Sequence, residues 1–135
     1  MKLNHVANRL SDKCFETVVE MFASCLGFAT LRRTERSIWM RQADANVDLQ
    51  FSRSEISHRD DDKRRSQIAF LSVTPRADLE RLATWLQERG LAAHVDAYSE
   101  REFFLDAPNA FVDFVLEAML PELADYEGYP LTVPS

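Results

Sequence analysis

The chain has 135 residues, 46% hydrophobic and 28% charged, which is enough for one soluble domain to bury a core without disulfide or metal staples. Sixteen basic against twenty-two acidic residues leave a net charge of −6, which argues against binding to nucleic acid or to an anionic membrane surface. The sequence has no apolar run of the length, about 18 residues, that a helical membrane span needs.

Leu3 to Leu10 reads as a strand, with no charged-then-apolar leader pattern before it, so a cytoplasmic protein is expected. Ser11 or Asp12 can cap a following helix. In that helix Phe15, Val18, Val19, Phe22 and Leu26 recur at helical spacing, and Gly27 supplies a left-handed stop. Cys14 and Cys25 would lie roughly 16 Å apart along its axis. A disulfide spans a Cα separation of about 7 Å at most, so both are expected as reduced core thiols. Three strand-like runs follow, at 29–34, 37–42 and 47–52. The polar stretch 55–66, "EISHRDDDKRRS", reads as a connecting loop. Its basic residues Lys63, Arg64 and Arg65, like Arg32, Arg33 and Arg36 earlier, are interleaved with acids and read as solvated positions.

The same order then begins again. Residues 67–73 form a strand pattern, Thr74 a cap, and Pro75 the first position of a helix. Leu79, Leu82, Ala83 and Leu86 make its apolar stripe, and Gly90 ends it. Strand runs at 92–98, 101–105 and 110–116 follow, then a short tail helix over 118–127. The repeat offset is steady: Gly27 to Gly90 is 63, His5 to Gln67 is 62, Asp44 to Asp106 is 62, and Asn46 to Asn109 is 63. The words "DANVDLQF" and "DAPNAFVDF" agree if Pro108 is an insertion, and Gln50 then falls on Asp113. The chain therefore reads as a duplicated strand-helix-strand-strand-strand unit. A ferredoxin-like domain has only two strands between its helices and fits less well.

A duplicated βαβββ unit resembles the vicinal oxygen chelate superfamily, which includes glyoxalase I, bleomycin-resistance proteins, fosfomycin-resistance enzymes and extradiol dioxygenases. The words "LNHVA", "QIAFLSV" and "FFLDAPNAFVDF" are similar to the family's unit openings and to its closing strand-turn-strand. The resemblance implies an α+β fold of two βαβββ repeats forming a curved mixed sheet of half-barrels, with a cleft inside and helices outside. The repeat units would be 2–54 and 67–117, joined by a loop at 55–66 and followed by a tail at 118–135. Carried over by position, the cleft sites are His5, Gln50, Gln67 and Asp113. These same four would be the metal ligands if a divalent ion (Zn, Ni, Mn or Mg) is held. A two-His-one-carboxylate iron site is excluded there, because Gln67 stands at the second His position.

Two functions stay open. One is a small-molecule binding protein without turnover, in which the amides and Asp113 orient an organic ligand. The other is a metal-dependent isomerase or lyase of glyoxalase type, with Asp113 or Asp48 moving the proton. The residues also leave open a structural role for Asp113, as an acid paired with an arginine. A homodimer is expected from the resemblance. With three glycines and no Ser elbow, phosphate-loop, dinucleotide and Ser-hydrolase chemistry find no support.

Overall fold

A computed structural model describes residues 3–55 and 61–124. The elements run β1 (His5–Ser11), α1 (Phe15–Leu26), β2 (Phe28–Arg33), β3 (Ser37–Gln42) and β4 (Asp48–Ser54) in the first unit. The second unit has β5 (Gln67–Leu71), α2 (Pro75–Gln87), β6 (His94–Ala97), β7 (Glu102–Asp106) and β8 (Val115–Met119). Each unit is a four-stranded mixed sheet, ordered β1-β4-β3-β2 and β5-β8-β7-β6. In both, the first strand runs parallel to the last, and the remaining pairs are antiparallel. That is the α+β duplication of βαβββ units.

The helices form for local reasons. Phe15, Val18, Val19 and Phe22 put one buried stripe on α1, and Gly27 closes it at φ 71°, its N–H donating to Phe22 O. A side chain there would strain the left-handed backbone. On α2, Pro75 opens the helix and Leu79, Leu82, Ala83 and Leu86 are buried. The helix ends at Gln87, and a turn carries the chain to Gly90 at φ 83°.

Alternation assigns the sheet faces. In the first sheet Leu10, Ile38, Met40, Leu49 and Phe51 pack against α1. Phe22 meets Phe28 and Phe51 edge-on, with ring centroids 5.3 and 4.8 Å apart. In the second sheet Ile68, Leu105, Leu116 and Ala118 pack against α2. One continuous core joins both helix faces, and Phe28 touches Phe70 across the seam at 6.4 Å. The opposite face of each sheet lies away from this shared core; these are called the open faces below.

Three differences from the sequence expectation stand out. The eighth strand is Val115–Met119, not 110–116. Residues 107–114 instead make a turn, with Ala110 N and Phe111 N both donating to Ala107 O at 2.9 Å. Phe111 and Phe114 then stack on each other at 4.7 Å, and Phe114 reaches Phe51 of the first unit at 6.1 Å. Residues 118 and 119 belong to β8, and the expected tail helix is a single 3₁₀ turn, Pro121–Ala124. The expectations for 56–60 and 125–135 lie outside the described residues. Cys25 is exposed rather than a core thiol, and Cys14 lies half-buried in a 3₁₀ turn before α1; both are free. No helix among the described residues is long and apolar enough to cross a membrane.

Candidate functional site

The strand register shows where the candidate residues sit. In the parallel pair β1–β4, His5 lies beside Asp48 and Ala7 beside Gln50. Leu49 and Phe51 face the helix, so His5, Ala7, Asp48 and Gln50 face outward on the first open face. In β5–β8, Gln67 lies beside Val115 and Ala69 beside Glu117. Ile68 and Leu116 face the helix, which places Gln67 and Glu117 on the second open face. With β1 superposed on β5, the counterpart of Gln50 is thus Glu117, four residues beyond Asp113. The turn at 107–114 accounts for the shift.

Asp113 lies before the strand and is held by Arg9. The Arg9 backbone N–H donates to Oδ1 at 3.3 Å and Arg9 Nε to Oδ2 at 3.1 Å. A carboxylate beside apolar neighbours is tolerated here because it is ion-paired and hydrogen-bonded. It also anchors the segment that runs alongside β1, where Ser11 N donates to Ala110 O and Val112 N to Arg9 O. Asp48 is similarly engaged: Arg41 Nε donates to its Oδ1 at 2.5 Å. Both acids named as proton carriers therefore have arginine partners.

Glu117 was missed by sequence reasoning, and its surroundings suit chemistry better. Burial is the main cause that raises its carboxyl pKa above the ordinary value, and the charge of Glu102 adds to it. Glu102 and Phe104 share its open face through the β7–β8 register. Gln67 Nε2 donates to Arg64 O at 2.9 Å and to Tyr98 Oη at 3.4 Å, while Tyr98 Oη donates to Arg64 O at 2.5 Å. Those bonds use the Gln67 amide hydrogens and leave its carbonyl oxygen as an acceptor. The Tyr98 ring lies 4.8 Å from Phe104, and burial is the main cause raising the Tyr98 phenol pKa. On the first open face, Trp39 sits beside Gln50 with the Arg32 guanidinium 5.1 Å over its ring. Phe103, by contrast, packs on the helix side.

His5 is exposed, and its Nδ1 is 2.8 Å from Asn4 Oδ1. Within one chain His5 and Gln50 belong to one open face, and Gln67 and Glu117 to the other. Among the described residues no three His, Cys, Asp or Glu side chains gather closely enough to hold a metal ion. A divalent ion needs several hard or imidazole donors around one point.

No protein-family model matches the chain, and no curated protein sequence does. Solved structures do match. One is a possible glyoxalase from Bacillus cereus, with TM-score 0.59, 17% identity, and 88% of this chain and 98% of that chain covered. A second is the fosfomycin resistance protein FosX from Mesorhizobium loti, with TM-score 0.57, 14% identity and coverage of 92% and 98%. A third is a bleomycin-binding protein from Streptomyces verticillus, solved with copper(II)-bleomycin, with TM-score 0.51, 18% identity and coverage of 89% and 98%. At these identities the likeness establishes the fold. The chain has the vicinal oxygen chelate fold, shared by glyoxalases, bleomycin-binding proteins and fosfomycin-resistance proteins.

Proposed function

We propose that the protein binds a small organic molecule without turnover, in a cleft formed when the first open face of one copy meets the second open face of another. One observation carries this reading: His5 and Gln50 occupy on the first open face the positions that Gln67 and Glu117 occupy on the second. Two halves of a ligand-binding constellation are thus matched in position on two different sheets.

Charge supports the pairing of unlike faces. The first face offers His5, the Arg32 guanidinium and the mutually paired Arg41 and Asp48; the second offers Glu102, Glu117 and Asp96, with the single Arg64 guanidinium over Phe104. Opposite potentials steer two such surfaces together. Trp39 on one side and Tyr98, backed by the buried Phe104, on the other give the cleft aromatic walls for an organic ligand. Its four matched positions supply one imidazole, one carboxylate and two neutral amides, a set that orients a ligand by hydrogen bonds. The solved bleomycin-binding protein shows that this fold can serve binding. The raised Glu117 carboxyl favours a second reading, a lyase or isomerase, because a group that moves protons works best with a pKa shifted towards the working pH.

Both readings require convergence across two copies, and metal affinity tests it. An amide oxygen brings no charge to offset dehydration of a cation, whereas Glu and His are strong donors. The double variant Gln50→Glu with Gln67→His should therefore bind Zn²⁺ at least about a hundredfold more tightly than the parent, about 2.7 kcal/mol. Adding Glu117→Ala should abolish the gain, and adding Asp113→Ala should not. Calorimetric titration of metal-stripped proteins, with the mass in solution measured alongside, reads each outcome. Unchanged affinity in a folded dimeric double variant would show that these positions do not meet.

A further inference from the structure

The shared core is incomplete at one end. Where β1 and β5 begin, a cavity of about 290 Å³ opens between the two units. Its walls include Val6, Phe28 and Leu49 from the first unit and Ile68 and Phe70 from the second. Val6 and Leu49 are neighbours in the β1–β4 register and lie on the helix side, opposite His5 and Gln50. The cavity thus lies on the helix side of the first sheet, opposite His5 and Gln50, and meets the cleft proposed above only along β5, at Gln67 and Ala69.

The polar groups of the cavity define what it would hold. Among the described residues no ionisable side chain lines it, and its polar side chains are Gln42 and Gln67. Gln42 Nε2 donates to Leu26 O at 2.8 Å, and Gln67 Nε2 is committed to Arg64 O and Tyr98 Oη. Gln67 thus has both amide hydrogens engaged and Gln42 one of its two, and each carbonyl oxygen is left as an acceptor. The backbone adds further polar groups. Val115 N donates to Ser66 O and Ser72 N to Met119 O, so even-numbered residues of β5 pair with β8. The N–H and C=O of Gln67 and Ala69 then point to the free edge of that strand.

We infer that this seam cavity is a second ligand site, one that takes an uncharged aromatic molecule of one or two rings bearing an N–H or O–H donor. A charged ligand would lose its hydration with no counter-ion in return. A pure hydrocarbon would leave the amide oxygens without donors once it displaced water. The volume lies at the lower limit of small-molecule pockets, which restricts the ligand to about the size of a bicyclic ring.

Indole and 1-methylindole are suitable probes, because they differ at the donor. Titrated into the full chain and followed by amide NMR, indole should give saturable shifts at Ala45, Ile68 and Ala69 with a dissociation constant of about 1 mM or tighter. 1-Methylindole, lacking the N–H, should bind at least about tenfold more weakly. Val47→Phe, or Ala45→Leu if the first variant does not fold, should fill the cavity and remove indole binding. Zinc affinity in the Gln50→Glu and Gln67→His background should stay unchanged on that filling. Glu117→Gln should leave indole binding intact. Equal affinity for the two indoles, shifts that persist in a folded cavity-filled variant, or absence of saturable shifts would overturn the inference. Loss of indole binding in Glu117→Gln would place the molecule in the cleft instead and overturn it equally.

Discussion

Lys63 offers the sharpest test of how the second unit is held together. Its ammonium lies 2.7 Å from Asp106 Oδ1 and donates to Phe111 O at 2.9 Å, and the side chains are only 6% and 11% exposed. Lys63→Met keeps the apolar stem but removes the charge. The charge-assisted bond to Phe111 O is worth about 1.5–3 kcal/mol, and Asp106 is left buried without its cation. Breaking one side of such a buried pair costs about 3–5 kcal/mol in all, a large share of the 5–15 kcal/mol typical of a whole domain. With a urea m-value of about 1–3 kcal/mol/M, the denaturation midpoint should fall by at least about 1 M. The double variant Lys63→Met with Asp106→Leu should recover at least about 2 kcal/mol, because two apolar groups replace a desolvated pair. A loss below about 1 kcal/mol in the single variant, or a double variant no more stable than the single, would refute the reasoning.

Phe22→Ala should cost about 3–5 kcal/mol in urea denaturation, since that ring is fully buried between Phe28 and Phe51. His5→Ala should change stability by less than about 0.5 kcal/mol by the same assay, because the side chain is exposed. Glu117 sets a pH dependence. Its carboxyl pKa is raised in the folded state, so folding favours the protonated form, and stability should decline as pH rises from the ordinary glutamate range through the folded pKa. Urea midpoints measured between pH 3.5 and 8 should show Glu117→Gln close to the parent at the acid end and gaining on it towards neutrality. In Glu102→Gln, the Glu117 carboxyl resonance should titrate at lower pH than in the parent.

Much of the fold was legible because its signals are local. The stripe from Phe15 to Phe22, Gly27 at a positive φ and Pro75 at a helix start each follow from the backbone needs of one element. The position of the acid was not legible, and the reason is physical. The run Phe111, Val112, Phe114 reports burial, and burial does not distinguish a strand from a turn wedged between two units. Matching "DANVDLQF" to "DAPNAFVDF" aligned the words while the strand began later, so Asp113 took the place that belongs to Glu117. Raising the strand start by four residues reverses no face, because side chains alternate with period two. The signal that could have found Glu117 was its own alternation, an acid between Leu116 and Ala118 in an otherwise apolar run.

The wedge at 107–114 also has a consequence for the order in which the chain is made. Strand β4 ends at Ser54, yet Phe51 has no Phe114 to stack on, and the edge of β1 away from β4 has no neighbour at Leu10, until roughly 60 more residues have been synthesised. At about 5–20 residues per second that interval is roughly 3–12 s. Throughout it the first half must hold its sheet with a bare edge and an uncovered aromatic surface. A nascent chain in that condition is open to strand addition by its neighbours on crowded ribosomes. Slower elongation through residues 55–110 should therefore lower the soluble yield.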